Sequence, residues 1–275
     1  MRPGVSSRRL IGWPMLKSLF SVIFLCFLAG SPASAGEWRE AKSEHFIVYS
    51  RNAPARFIQS LIDGAEKHYR KTTTTLGFTR YKGWIWDERV KIYVYDDAGD
   101  YQKSHYGCSG GTAQTGARLI MTYPSARGFF DSVLPHELGH IVFRDFIGPK
   151  ARVPLWLEEG VAMAQEETGA FGADDDVRRA LKEGTFIPLP DLDRRGLTNN
   201  SDRAFVDLFY AEAASVVDFL ITQGEMYRFA RLCREMKDGR RFEWALKKAY
   251  MKYQTLGDLD EAWRTYLGHS QKERH

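Results

Sequence analysis

Cysteine is scarce in this 275-residue chain: there are three. None sits at a spacing that builds a metal site, so cysteine is excluded as a source of ligands. Cys26 falls in an apolar stretch near the N-terminus. Cys108 and Cys233 would pair only in an oxidising compartment and only if the fold brought them together. No apolar run reaches the roughly 20 residues that span a bilayer. No internal repeat and no long low-complexity segment is present. Net charge is also small. The chain carries 39 basic and 35 acidic residues. Arg2, Arg8, Arg9 and Lys17 precede residue 36 with no acid among them, which leaves 35 of each sign in the remainder. The basic surplus belongs to the N-terminus, and nothing in the charge points to a nucleic-acid partner.

That N-terminus has the layout of a targeting segment. A basic region is followed by the apolar run Leu19 to Gly30 and then by Ala33-Ser34-Ala35, an Ala-x-Ala cleavage site. It predicts a signal peptide over 1–35, a mature start at Gly36 and a protein exported to the periplasm or secreted. No membrane span remains after cleavage; an uncleaved anchor is the alternative. The remaining 36–275 suit one domain.

Within that domain the residues that point to chemistry are His136-Glu137-Leu138-Gly139-His140. They lie in a segment, Ser132 to Phe146, with apolar residues at helical spacing. Residues four apart share one face of a helix, so His136 and His140 can hold one Zn²⁺ between them. Glu137, one step round the helix, can take a proton from water activated by the metal. Gly139 is a poor helix former, which suggests that another chain segment or a substrate approaches closely there. A zinc site that does chemistry usually takes a third protein ligand. Downstream, Trp156-Leu157-Glu158-Glu159-Gly160-Val161-Ala162 offers two adjacent carboxylates in an apolar run.

These two motifs resemble those of the gluzincin metallopeptidases, in which His-Glu-x-x-His is followed after eighteen residues by a ligand Glu within Trp-Leu-x-Glu-Gly. Residues 141 to 158 are those eighteen, so the resemblance implies Glu159 as the third ligand. Glu158 is then a neighbouring or surface carboxylate, with ligation by it as the alternative. The second motif is similar to the aminopeptidase branch. The Gly-x-Met-Glu-Asn segment that grips a substrate amine there is replaced here by Gly116-Ala117-Arg118-Leu119-Ile120-Met121-Thr122-Tyr123. The chain looks most like the compact peptidase MA-like domains. The resemblance implies a thermolysin-like metallopeptidase core, one Zn²⁺ per chain and a peptide or protein substrate.

It also implies a hydrogen-bond donor for the oxyanion from a later helix, and Tyr210 in Phe209 to Val217 is the candidate. Tyr210 shares a face with Ala213, Ala214 and Val217, which suits either core packing or a site. In gluzincins an edge strand before the zinc helix pairs with the substrate backbone. That assigns substrate binding to Gly111, Leu119, Ile120 and Met121, with a plain hairpin turn as the alternative for Gly111.

Strand patterns at His45–Arg51, Val90–Tyr95 and Leu119–Tyr123, with a helix over Arg56–Leu76, fill the first half. The second half reads as helices at Val177–Glu183, Asp202–Thr222, Glu225–Lys237, Phe242–Met251 and Leu259–Leu267. Loops are expected at Leu189-Pro190-Asp191 and Gly196–Ser201. The expected class is α+β: a small mixed sheet with helices over about 36–147, a helical lobe over about 148–270, and the zinc helix at the junction. The leading functional expectation is an exported zinc peptidase, with endopeptidase action favoured by the missing amine anchor. The alternatives are a non-catalytic zinc-bearing domain that binds a peptide or partner in the envelope, and a hydrolase of a non-protein amide.

Overall fold

The structure, a computed structural model, describes residues 37–78, 88–104, 111–166, 172–198, 200–224 and 226–269. The leader, its cleavage site and Cys108 lie outside the described residues. Chain contacts separate Met1–Ala33 from a compact unit, Ser34–His275, to which everything below refers.

That unit is α+β. Five strands, β1 (Arg39–Lys42), β2 (Phe46–Ser50), β3 (Val90–Val94), β4 (Gly111–Gln114) and β5 (Leu119–Thr122), form one mixed sheet in the order β1-β2-β3-β5-β4. The central pairs β2–β3 and β3–β5 are parallel, and the outer pairs are antiparallel. In β2 and β3 the alternating pattern buries Phe46, Val48, Val90, Ile92 and Val94 on one face, as the period of two requires. α1 (Ala55–Thr75) covers that face with Leu61, Ile62, Ala65 and Tyr69.

The rest is helical. After α2 (Ala98–Ser104), a π-helical turn over Phe129–Val133 leads into α3 (Leu134–Ile147), with Pro135 in its first turn and Gly148 ending it at φ 88°. Arg118 holds a left-handed backbone at φ 47° before β5, and its guanidinium pairs with Asp145 near the end of α3, which ties sheet to helix. Then come α4 (Leu155–Met163), α5 (Ala173–Glu183), α6 (Leu189–Arg195), α7 (Arg203–Gly224), α8 (Met226–Lys237), α9 (Phe242–Tyr250) and α10 (Leu256–His269). Among the described residues no helix is long and apolar enough to cross a membrane.

Leu189-Pro190-Asp191, expected as loop, is instead the first turn of α6. Proline costs little there because the first turn has no intrahelical partner for its N–H. Two buried carboxylates hold its entry: Glu212 accepts the Ile187 N–H at 2.8 Å and Asp260 the Leu189 N–H at 2.9 Å. Burial, together with Asp260, pushes the Glu212 carboxyl up to about 8. Cys233 is buried and free, a small apolar group in the core of α8.

α4 packs most closely on α7. A Cβ at Gly160 would lie 2.2 Å from the Ala213 carbonyl oxygen and 2.7 Å from Val217 Cγ2. The small-residue face shared by Tyr210, Ala213 and Val217 is therefore the seat of α4. On an open helix surface Gly→Ala stabilises by about 1 kcal/mol. Gly160→Ala should instead destabilise by about 3 kcal/mol, since backbone must move to admit the methyl. Urea unfolding of the two proteins measures this; a difference within about 0.5 kcal/mol, as at an unconstrained surface position, would contradict the packing described.

Candidate metal centre

α3 buries Leu134, Leu138, Ile141, Val142 and Phe143 and keeps His136, Glu137, His140 and Arg144 half-buried on the opposite side. His136, His140 and Arg144 recur every four residues, so they form one stripe. α4 does the same: Trp156, Leu157, Gly160, Val161 and Ala162 are buried, while Glu158 and Glu159 are half-buried. The Trp156 indole N–H donates to Asp193 of α6 at 2.9 Å, which fixes the entry to α4. The two helices touch at Gly139, where a Cβ would stand 2.9 Å from the Ala162 Cα. The close approach anticipated at Gly139 is made by this neighbouring helix.

The contact brings three side chains together. The Nε2 atoms of His136 and His140 are 3.1 Å apart. The nearer carboxylate oxygen of Glu159 lies 3.8 Å from the first and 3.7 Å from the second. Tetrahedral zinc with bonds of about 2.0–2.1 Å separates its ligand atoms by about 3.3 Å. The triangle therefore has the size one such ion needs, and two imidazoles with one carboxylate leave a fourth position open.

The ring nitrogens are poised for that role. His136 Nδ1 is 2.8 Å from Glu166 Oε1. Since the carboxylate accepts, Nδ1 carries the proton, and in the neutral ring it is Nε2 that holds the lone pair. Burial lowers the pKa of His136, but the Glu166 bond and the charges of Glu166, Glu137 and Glu159 outweigh it and raise the net value. Burial, with the positive charges of His136 and Arg144, takes His140 down to about 3. His140 is thus a neutral imidazole, the form that binds metal. Burial raises the carboxyl pKa of Glu159; His136 opposes the shift while Glu158 and Glu137 add to it. Four carboxylates crowd two imidazoles here, a concentration of negative charge that a divalent cation relieves.

Glu158 is committed elsewhere. Arg144 grips both of its oxygens through Nε and Nη2, and anchors itself on the Ala151 carbonyl at 3.2 Å. Glu158 comes no nearer to His140 Nδ1 than 4.0 Å, too far for a hydrogen bond. Glu159 is left as the carboxylate facing both Nε2 atoms. Tyr210 lies on α7, half-buried. Burial, with the charges of Glu159, Glu137 and Glu166, pushes its hydroxyl up to about 12. It stays protonated and is a donor at any ordinary pH.

The strand expectation needs correcting. Leu119, Ile120 and Met121 lie in β5, which is paired on both sides, by β3 and by β4. An interior strand has no backbone groups left for a substrate, and Ile120 and Met121 are buried. The edge is β4, so of the four residues assigned to substrate only Gly111 lies on an edge strand. β4 and the 3-10 turn Thr115–Ala117 after it lie against α3.

A second group with ligand atoms, Glu44, His45 and Glu66, is of a different kind. Glu66 accepts the His45 backbone N–H at 2.9 Å and faces its Nδ1 at 2.7 Å. His45 stacks on Tyr69, and Glu44 is exposed. This is a clamp between the start of β2 and α1.

Glu166 and Ser132, the hydroxyl of which donates to Glu166 at 2.5 Å, were not anticipated. Glu166 lies three residues past the end of α4, in the turn that follows it, so the periodicity of that helix does not point to it. A carboxylate behind a ligand histidine typically contributes about 10–100-fold to metal affinity. Glu166→Gln should weaken zinc binding by that factor in competition with a chelator, with unchanged helix content. Undiminished affinity would remove Glu166 from the site.

A family model described as Peptidase MA superfamily matches residues 75–269. No curated protein matches the chain in sequence. The matched span begins at the last residue of α1 and includes α3, α4 and α7, the three helices whose contacts assemble His136, His140, Glu159 and Tyr210. On that match, which covers well over half of its length, the chain belongs to the Peptidase MA superfamily.

Proposed function

We propose that this peptidase-family domain is an exported, zinc-dependent peptidase of the gluzincin type, acting within peptide or protein chains. The observation that carries the reading is the convergence of two imidazole Nε2 atoms and one Glu159 oxygen, at 3.1 to 3.8 Å from one another, on a helix that also carries Glu137. A metal site with a purely structural role has no use for Glu137. Zinc, when bound, would supply Lewis acidity to the scissile carbonyl and lower the pKa of the attacking water toward about 7.

The chain's own groups do the rest. His136, His140 and Glu159 hold the ion, and Glu166 with Ser132 fixes the ring of His136. Glu137, whose charge acts on His136, Glu159 and Tyr210, takes the proton from the attacking water and delivers it to the leaving amine. Tyr210 donates its hydroxyl hydrogen to the developing oxyanion, a role that its raised pKa suits. The edge that β4 forms among the described residues accepts the substrate backbone as an added strand. With no acidic anchor in the Gly116–Tyr123 segment for a free amine, internal bonds are the substrate. Export follows from the leader, cleaved after Ala35.

A digest of a broad peptide library by the zinc-loaded protein, with and without chelator, tests the reading. Chelator-sensitive cleavage at internal bonds is expected. Glu137→Gln should lose at least about 10²-fold in rate while keeping about one zinc per chain, because Glu137 is not a ligand. Tyr210→Phe should lose on the order of 10-fold to 10³-fold. Full zinc occupancy with no cleavage of any peptide would favour a non-catalytic, partner-binding domain instead.

A further inference from the structure

The described surface exposes five large apolar side chains, and four of them fall between residues 226 and 251: Met226 at 42%, Tyr227 at 56%, Trp244 at 40% and Met251 at 65%. The same stretch, α8, the turn after it and α9 through Lys252, holds nine basic residues and three acidic ones. The chain beyond residue 35 has equal numbers of the two signs, so this surplus is local.

Ion pairs within the two helices do not neutralise it, and outside them the charge of Lys237 acts on Asp145 of α3. Elsewhere on the helical surface arginines are paired with acids of their own helix, as in Arg179–Asp176, Arg194–Asp191 and Arg264–Asp260. Among the described residues none of the nine makes such an ion pair. Arg240 and Lys248 instead flank the Trp244 ring at 4.6 and 5.2 Å, and Arg228 lies 5.3 Å from the Tyr227 ring.

Geometry puts these groups on one pair of helices. α8 and α9 pack together, and Arg228 donates to the Ala249 carbonyl at 3.3 Å, which sets the start of α8 beside the end of α9. Met226, Tyr227 and Met251 therefore cluster at that end. Tyr227, Arg231 and Arg234 are exposed at helical spacing along α8, and Trp244, Lys248 and Met251 along α9 and its last turn. The inner faces of both helices are used up in the core by Phe229, Leu232, Met236, Leu246 and Tyr250.

We propose that the outer face of the α8–α9 pair docks on an anionic lipid surface. Lys and Arg stems lie flat while their heads meet lipid phosphates. Trp and Tyr rings occupy the headgroup level, and the flexible methionines reach the acyl boundary. A polyanion such as nucleic acid would use the charge equally well but gains nothing from Met226 and Met251. The dock would hold the domain at a membrane without any spanning helix, whatever the catalytic reading of its metal centre.

Sedimentation of the compact unit Ser34–His275 with vesicles tests this. Vesicles of phosphatidylcholine with about one-third phosphatidylglycerol should bind it at low salt, and phosphatidylcholine alone should not. Each basic residue near the surface contributes on the order of fivefold. Arg231→Glu with Arg234→Glu, Lys247→Glu and Lys248→Glu should thus lose at least ~100-fold. Brominated lipid should quench the Trp244 fraction of the fluorescence, and Trp244→Phe should remove that quenching. The lipid comparison and the quenching stand even if the quadruple variant fails to fold. Equal binding to both vesicle types, no binding to either, or binding to duplex DNA but not to vesicles would each overturn the proposal.

Discussion

Three helices can present side chains to one ion only if their axes come close, and here two glycines permit it. Gly139 lets α3 meet the backbone of α4 at Ala162, and Gly160 lets α4 meet the backbone of α7 at Ala213. Each contact removes a layer of side chains from between the helices. The distances at the centre follow: the imidazoles of α3 face Glu159 of α4, and Tyr210 on α7 sits in the field of the same carboxylates. The glycines of the two motifs thus act through packing. A methyl group at either would shift His136, His140, Glu159 and Tyr210 relative to one another, and catalytic constellations need placement to about 0.5 Å.

The electrostatics of the site run against folding without a cation. Glu137, Glu158, Glu159 and Glu166 are brought together in partly buried surroundings, where like charges repel. Local partners divide the load. Arg144 takes both oxygens of Glu158, and Glu166 takes the N–H of His136 and the hydroxyl of Ser132. Glu159 faces the two Nε2 atoms, with its carboxyl pKa raised by burial. Of the two adjacent carboxylates, Glu158 is held by Arg144, on the stripe of the two histidines, while Glu159 faces both Nε2 atoms.

Local spacing made the motif helix legible in the sequence, since His136, Glu137 and His140 need only a helix to share a face. The core strands β2 and β3 were legible for the same reason, as alternation over five residues. What failed was non-local. Leu119–Met121 follow the edge strand in sequence but lie inside the sheet, because β5 pairs with β3 as well as with β4. β1, four residues with no apolar alternation, carries no signal outside the sheet that it completes. Glu166 was missed because its partner His136 is 30 residues away, and a hydrogen bond of that span leaves no trace in a pattern search. Choosing Glu159 over Glu158 rested on resemblance alone. The Arg144 clamp on Glu158, which bears on that choice, is visible only in the structure.

The central claim is that α3 and α4 together make one metal centre with Glu159 as its third ligand. Zinc affinity measured by chelator competition for Glu159→Ala beside Glu158→Ala tests it most directly. The account predicts a loss of at least about 10³-fold for Glu159→Ala, the scale of removing one of three ligands from a site worth about 10–16 kcal/mol. It predicts a loss within about 10-fold for Glu158→Ala, the low end for a supporting group. Retention of zinc by Glu159→Ala together with its loss by Glu158→Ala would contradict the assignment and the geometry on which it stands.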